Sequence, residues 1–251
     1  MKYDVKLCEI LRRAEIAENT FDFTVRAPEL AAAAAPGQFA HIYVPGKTLR
    51  RPISICDIDK DAGTLRFVFQ VRGGGTAELA KFKVGDAFDI LAPLGHGFTV
   101  EPEKKALFVG GGIGVPPLLG AAKHYGENAT VAIGFRSRDF VILEDDFKAA
   151  GCEVRVATDD GSYGHHGLVL DLIRDLRPDV IHACGPMVML RAIAQFAKEN
   201  NICCEISLEE RMACGIGACL GCAVELNGED GTYMGHVCKD GPVFAAERVV
   251  L

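Results

Sequence analysis

The stretch Ala106-Leu-Phe-Val-Gly-Gly-Gly-Ile-Gly-Val-Pro-Pro117 decides the fold of the second half of the chain. Ala106–Val109 is a short apolar run of strand length, and Gly110–Gly114 follows it as a turn. Pro116 and Pro117 suit the first turn of a helix, where no N–H has to be donated. A strand that passes through glycines into a helix points free N–H groups and the positive end of the helix dipole at whatever lies above the turn. Gly110, Gly111, Gly112 and Gly114 therefore form a candidate anion site. Val115 stands where the full G-x-G-x-x-G fingerprint has its third glycine, and a plain tight turn is the competing reading.

Working downstream, strands are expected at Val131–Phe135, Val154–Thr158, Ile181–Cys184 and Cys203–Ser207. Helical stretches lie between them at Glu144–Ala150, Leu168–Asp175 and Met187–Asn200. This alternation predicts a doubly wound parallel sheet. Cys184-Gly185-Pro186 ends one of its strands and opens a helix, at the carboxyl end where ligands bind in open α/β folds. A soft sulfur there can lie beside a nicotinamide ring; an ordinary buried cysteine is the plainer alternative.

Working upstream, short strands are expected at Val5–Leu11, Phe21–Arg26, Gln38–Val44, Pro52–Cys56, Leu65–Val71 and Ala87–Leu91, separated by Gly and Pro turn signals. Six strands with one helical insert, Thr76–Phe82, predict a small antiparallel barrel. The segment after Glu209 is rich in Gly and Cys. It is too small to be held together by apolar burial alone, which implies a metal centre or a partner. The expected organisation is thus a multi-domain β plus α/β chain: a barrel over 1–100, an α/β domain over 101–208 and a small third unit over 209–251.

The composition is that of an ordinary globular protein: 251 residues, 49% hydrophobic, 24% charged, formal net charge −7. No basic footprint for nucleic acid is present. The longest apolar run, Ala31 to Ala35, falls far short of the roughly 20 residues needed to span a bilayer. The start, Met1-Lys2-Tyr3-Asp4-Val5, has no apolar signal core, so a cytoplasmic location is expected. In such a compartment the 10 cysteines are not expected to be disulfides. Cys8, Cys56, Cys152, Cys203 and Cys204 read as small buried hydrophobes.

The others are different. Cys214-Gly-Ile-Gly-Ala-Cys219-Leu-Gly-Cys222, with Cys238 further on, is C-x4-C-x2-C…C, the plant-type [2Fe–2S] spacing. Three thiolates come from one loop that must curl around the cluster. Gly215, Gly217 and Gly221 allow the curl and let backbone N–H groups approach the sulfurs. Structural zinc is the alternative, although zinc sites favour paired C-x2–4-C knuckles on both sides.

Arg50-Arg51-Pro52-Ile53-Ser54 opens a barrel strand. The Arg51 guanidinium can hold a pyrophosphate with a fork of donors, and Ser54 can hydrogen-bond an isoalloxazine edge. An exposed strand-edge arginine is the commoner role for such a residue. Gly73-Gly74-Gly75-Thr76 before the insert helix is a second candidate phosphate cradle. A chain that handles both a hydride donor and a one-electron cluster also needs a carrier able to do either, which points to flavin.

In this order the motifs resemble those of the ferredoxin–NADP reductase superfamily. The run Ser207-Leu-Glu-Glu-Arg-Met-Ala-Cys214 through Cys222, with Val237-Cys238-Lys-Asp-Gly-Pro-Val-Phe244, resembles the electron-transfer subunits of type B, NAD-dependent dihydroorotate dehydrogenase. That resemblance covers essentially the whole chain. It implies FAD on Arg51, Pro52, Ile53, Ser54, Gly75 and Thr76 and along the strand at Val68, Phe69 and Gln70. It implies [2Fe–2S] on Cys214, Cys219, Cys222 and Cys238, with NAD as electron acceptor over Gly110–Gly114 and Cys184-Gly185-Pro186. Ser54 and Cys184 are then the candidate catalytic residues.

The same resemblance implies a heterotetramer in which two such subunits flank a dimer of an FMN-containing dihydroorotate dehydrogenase catalytic subunit. Gln70 and Gly74 depart from the arginine and the larger residue expected at those positions in relatives. Two rival functions are a related NAD(P)H–ferredoxin or sulfide- or hydrogen-metabolism reductase subunit and a zinc-stabilised binding protein. For NADP use, Arg136 and Arg138 are the available cations and Asp139 argues against it. Glu209, Glu210 and Arg211 read as a solvated charge run, and His165-His166 as the cap of a helix start.

Overall fold

The computed structural model describes residues 3–251; Met1 and Lys2 of the start read above lie outside it. Strands β1 (Asp4–Ala17), β2 (Thr20–Arg26), β3 (Phe39–Ile42), β4 (Arg51–Asp59), β5 (Thr64–Gln70) and β6 (Ala87–Leu94) close an antiparallel barrel in the order β1-β2-β5-β4-β3-β6. Alternation drives the closure. Leu65, Phe67 and Phe69 of β5 point inward with Ile10, Phe23, Ile55, Phe88 and Ile90. Phe23 and Phe69 stack with centroids 5.6 Å apart. Two short helices interrupt the barrel, α1 (Pro28–Ala33) and α2 (Gly74–Leu79). The alanine run at 31–35 thus contributes to a helix that its composition alone does not announce. The insert helix starts two residues before the expected Thr76, whose hydroxyl instead accepts the N–H groups of Arg72 and Gly73 at 3.0 and 3.3 Å.

The second sheet contains β7 (Ala106–Gly111), β8 (Ala129–Phe135), β9 (Glu153–Thr158), β10 (His165–His166), β11 (Val180–Cys184) and β12 (Cys203–Ser207), all parallel. Helices α3 (Pro116–Tyr125), α4 (Glu144–Ala149) and α5 (Met187–Asn200) connect them. The strand order β10-β9-β8-β7-β11-β12 reverses direction between β7 and β11. This is the switch point above which open α/β sheets bind ligands.

The last segment forms a hairpin, β13 (Ala223–Gly228) and β14 (Gly231–His236), a helical turn α6 (Val237–Asp240) and a short strand β15 (Val243–Ala245). β15 adds to the second sheet, pairing antiparallel with β12.

Three sequence expectations change here. Leu168–Asp175 is not an α-helix: only a single tight turn, Val169–Leu172, forms. The Asp171 carboxylate bonds the Leu168 N–H at 3.1 Å and pairs with Arg174 at 2.8 Å, closing the turn on itself. His165 and His166 form the edge strand β10 and cap no helix. Cys203 is exposed, while Cys8, Cys56, Cys152 and Cys204 are buried as expected.

Barrel and sheet are packed firmly together. Val68 and Cys56 of the barrel belong to the apolar core that also contains Leu118, Leu119 and Ala122 of α3. Gly120 lets α3 lie against the Cys56 carbonyl, 3.3 Å from where a β-carbon would stand. Arg66 of β5 joins the fully buried Asp22 at 3.0 Å and reaches across to Asp146 of α4. Lys123 of α3 meets Asp57 of β4 at 2.7 Å. Among the described residues no helix is long and apolar enough to cross a membrane.

Candidate functional site

The motif glycines and the Cys184 turn meet at the switch point. β7 and β11 are neighbours, with Gly110 opposite Cys184. A β-carbon on Gly114 would stand 2.5 Å from the Cys184 carbonyl oxygen and 2.6 Å from the Gly185 Cα. One on Gly111 would stand 2.8 Å from both Pro186 Cδ and Met189 Sδ. Gly112 has φ +54° and open space on its side-chain position. The two turns therefore touch back to back through glycines at the carboxyl ends of β7 and β11. The Cys184 thiol itself is buried at 1% exposure, and burial pushes its pKa far up, keeping it protonated. Its neighbour on β12, Ser207, lines the cleft in front of the barrel.

This cleft runs between barrel and sheet and is lined by Pro52, Ile53, Ser54, Val68, Phe69, Gln70 and Thr76. Seven residues selected from the sequence thus line one cavity. Arg51 borders it, its guanidinium lying over Gly75, where any β-carbon would collide with it. Its Nη1 donates to the carbonyls of Leu49 and Arg50 at 2.6 and 3.1 Å, which fixes the fork in place. Arg50 is spent on structure, bonding the Asp89 carboxylate at 2.8 Å and the His41 carbonyl at 3.1 Å.

Other cleft residues carried no local signal. Phe39, Arg72, Ile113, Ser207, Leu208, Glu209, Glu210, Met212 and Pro242 complete its wall. Glu209 and Glu210 are exposed, as a solvated run requires, and line the open side of the cleft as well. Glu209 keeps an exposed edge, yet crowding of its carboxyl by the wall pushes its pKa up against the pull of Arg72.

The cysteine loop follows directly in the chain on the cleft residues Glu209, Glu210 and Met212. Ile216, Ala218 and Cys219 donate their N–H groups to Cys214 Sγ at 3.4, 3.2 and 3.4 Å. Gly217 donates to Cys238 Sγ at 3.1 Å, and Cys238 to Cys222 Sγ at 3.4 Å. Gly215, Gly217 and Leu220 have φ of +73°, +82° and +60°, which is how so short a loop curls its N–H groups inward. Burial alone would raise the Cys214 thiol, but the loop's N–H donors outweigh it and bring it down to about 6. Burial and the Cys222 thiol drive Cys238 up to about 12. Among the described residues no three of these side chains are drawn together as a metal-holding group, but the main-chain donors aimed at the Cys214, Cys222 and Cys238 sulfurs fit thiolate ligands of a two-iron cluster. Cys222 and Cys238 are buried while Cys219 and Leu220 reach the surface.

Cleft and cysteine site share a wall. Phe39 lines the cleft and belongs to the apolar core that also contains Leu94, Cys222 and Cys238, with Met212 packed against it. His41 of β3 lies behind the cysteine loop, fully buried, and burial brings its pKa down to about 4.

Similarity to known proteins points the same way. Residues 209–250 match the iron–sulfur cluster binding domain of dihydroorotate dehydrogenase B. The chain is 44% identical over 247 residues to the dihydroorotate dehydrogenase B (NAD(+)) electron transfer subunit of Geobacillus kaustophilus, covering 94% of this chain and 95% of that one. It is 41% identical over 253 residues to the subunit of the same name from Streptococcus mutans, covering 96% of each. Among solved structures, an NADH-dependent reduced ferredoxin–NADP oxidoreductase described for flavin-based electron bifurcation superposes with a TM-score of 0.87 at 34% identity, covering 97% of this chain and 90% of that one. The FAD/NAD binding domain of a Vibrio cholerae nitric oxide dioxygenase shares the fold at TM-score 0.65 and 18% identity, covering 78% of this chain and 94% of that one. Near-complete coverage on both sides, together with the iron–sulfur domain match over the cysteines, means that the chain belongs to the family of electron-transfer subunits of NAD-dependent dihydroorotate dehydrogenase B.

Proposed function

We propose that this chain carries electrons from dihydroorotate oxidation, performed on a separate FMN-containing catalytic subunit, to NAD⁺ through [2Fe–2S] and FAD, as a step of pyrimidine biosynthesis. The observation that carries the proposal is the common wall between the cleft and the four-cysteine loop, which brings the candidate flavin site and the candidate one-electron site together. When bound, FAD exchanges hydride with a nicotinamide and single electrons with an iron–sulfur cluster, which is the conversion such a relay requires.

Each residue then has a task. Arg51, fixed over Gly75, offers its guanidinium fork to a pyrophosphate, with the main chain at Gly75 and Thr76 beside it. Pro52, Ile53, Val68 and Phe69 give the cleft its apolar wall, and Ser54 and Gln70 present a hydroxyl and an amide for the polar edge of a flavin. Gly110–Gly114 and Cys184-Gly185-Pro186 supply the nicotinamide crevice. Cys184, buried and protonated, shapes its floor. Cys214, Cys219, Cys222 and Cys238 hold the cluster.

The partner is a dimer of the catalytic subunit flanked by two copies of this chain, in the cytoplasm. The use of NAD rather than NADP is supported at the end of β8. There the Asp139 carboxylate follows Arg138, whose guanidinium lies 5.5 Å over the Tyr163 ring, and a carboxylate disfavours a 2′-phosphate.

Isolation from the native cell tests the proposal. An FMN-bearing barrel enzyme should co-purify, with FAD, iron and acid-labile sulfide in the complex and dihydroorotate-dependent reduction of NAD⁺. A complex active only with NADPH and ferredoxin would refute it.

A further inference from the structure

The surroundings of His41 are unusual. The ring is fully buried, and neither Nδ1 nor Nε2 has a hydrogen-bond partner among the described residues. Buried polar groups are nearly always paired, because an unpaired one loses its water without compensation. The residue sits in the middle of β3, opposite Pro52 on β4 and Leu91 on β6. It is therefore built into the strand that neighbours the flavin segment Arg51–Ser54. Its own carbonyl is held by Arg50 Nη1 at 3.1 Å, which fixes the main chain beneath the ring.

On its other side the ring abuts the cysteine loop. A β-carbon on Gly215 would lie 2.8 Å from His41 Nδ1 and 3.3 Å from both His41 Cγ and Leu94 Cδ1. Gly215 also has φ +73°. The loop is thus shaped twice over to let the imidazole approach the peptide that follows Cys214. The main-chain oxygens acting on the ring are those of Cys214 and Arg50, neither of them at full hydrogen-bond geometry.

We infer that His41 is a positioning residue of the electron path, a strut whose ring N–H is poised to donate to the Cys214 carbonyl and so to link β3, the neighbour of the flavin strand, to a cluster ligand. This rests on the reading that the four cysteines hold [2Fe–2S]. A neutral imidazole has one donor. Spent on the Cys214 carbonyl, it fixes the peptide joining Cys214 to Gly215. That peptide in turn sets the direction of Cys214 Sγ and of the N–H groups of Ile216, Ala218 and Cys219 that point at it. Donors around a metal ligand tune its potential and reactivity, and losing such a partner typically costs about 10-fold or more in affinity or activity.

The test uses the full chain with its cofactors and compares wild type with His41→Phe and His41→Gln. Phenylalanine fills the space without a donor, and glutamine keeps an amide N–H. Iron and acid-labile sulfide per FAD, the paramagnetic resonance spectrum of the reduced protein, and the ratio of cluster-reduction to flavin-reduction rates after mixing with NADH are measured.

The expected result is a loaded His41→Phe protein with shifted g values and a rate ratio about 10-fold lower, and a His41→Gln protein close to wild type in both. A loaded His41→Phe protein with wild-type spectrum and ratio overturns the inference. If His41→Phe loads no cluster, His41→Gln decides. A wild-type spectrum and ratio there support the donor role, and any other result means that His41 only fills space. Wild-type protein without iron and sulfide is a separate failure, which would refute the reading of the cysteine loop itself.

Discussion

Gly217 donates its main-chain N–H to the Cys238 sulfur at 3.1 Å, so the last cysteine is held by the loop that carries the other three. The donor is available because Gly217 has φ +82°, and a β-carbon there would also meet Lys239 Cδ at 2.7 Å. Gly217→Ala is expected to strain the loop by about 1–2 kcal/mol and to lower cluster content. Iron and sulfide analysis of freshly purified protein measures this. Full occupancy would mean that the loop tolerates a left-handed alanine and a displaced lysine.

Removing a ligand should separate the two electron-carrying sites. Cys219→Ser is expected to remove or distort the cluster while NADH oxidation by artificial two-electron acceptors persists, because the cleft has its own walls. Visible spectra and dye-linked assays give the answer. Loss of dye reduction with FAD still bound would show that the two sites cannot act independently.

Arg51 is the charged group placed over Gly75 at the cleft border. Charge-assisted hydrogen bonds contribute about 1.5–3 kcal/mol, so Arg51→Ala should weaken FAD binding about 10- to 100-fold. Flavin retained after dilution and gel filtration is the measurement. Unchanged retention would remove Arg51 from the pyrophosphate site.

The back-to-back glycines make a sharper case. Gly114→Ala would drive a methyl group into the Cys184 carbonyl and the Gly185 Cα. Such overpacking costs about 1–3 kcal/mol. A lower Tm and a raised KM for NAD⁺ are expected, with flavin content unchanged. An unaltered KM would place the nicotinamide away from this junction.

Stability should depend on pH through Glu205. Burial alone would raise its carboxyl, but the His182 ring 3.2 Å away and the Thr99 N–H and hydroxyl at 2.9 and 2.7 Å outweigh it and lower the pKa below its ordinary 4.5. A carboxyl lowered by folding contributes stability above its unfolded pKa and loses it as pH falls through the folded value. The Tm should therefore fall below about pH 4.5 more steeply in wild type than in Glu205→Gln. Parallel acid limbs in the two proteins would exclude Glu205 as the cause.

Where the sequence could be read, the signal was local. Met187–Asn200 and Cys203–Ser207 form over the expected residues, because Gly185-Pro186 and a left-handed Asn201 bound a helix whose apolar residues recur on one face. The cysteine spacing is likewise confined to one loop and one later residue. The hairpin β13–β14 is faint in the sequence: Val224-Glu225-Leu226-Asn227 alternates, but over a single short strand, and both strands are mostly exposed. The cleft was half visible. Arg51–Ser54 forms a motif, but Ser207, Glu209, Met212 and Pro242 reach the wall from segments that meet only when β15 folds back on β12. His41 offers no signal at all in sequence, since a histidine inside a strand becomes conspicuous only when its burial and its neighbours are known.

β15 gives the molecule a directional dependence. The residues that complete the edge of the parallel sheet are made after all four motif cysteines, and Leu208 N donates to the Pro242 carbonyl at 2.9 Å to seal the join. Until they arrive, β12 is an open rim on the nascent chain, the kind of rim that recruits strands from other molecules. Proteolytic clipping after Asp240 would recreate that rim in the mature protein. Self-association, rather than the mere absence of colour, would then be the first sign of damage at the carboxyl end.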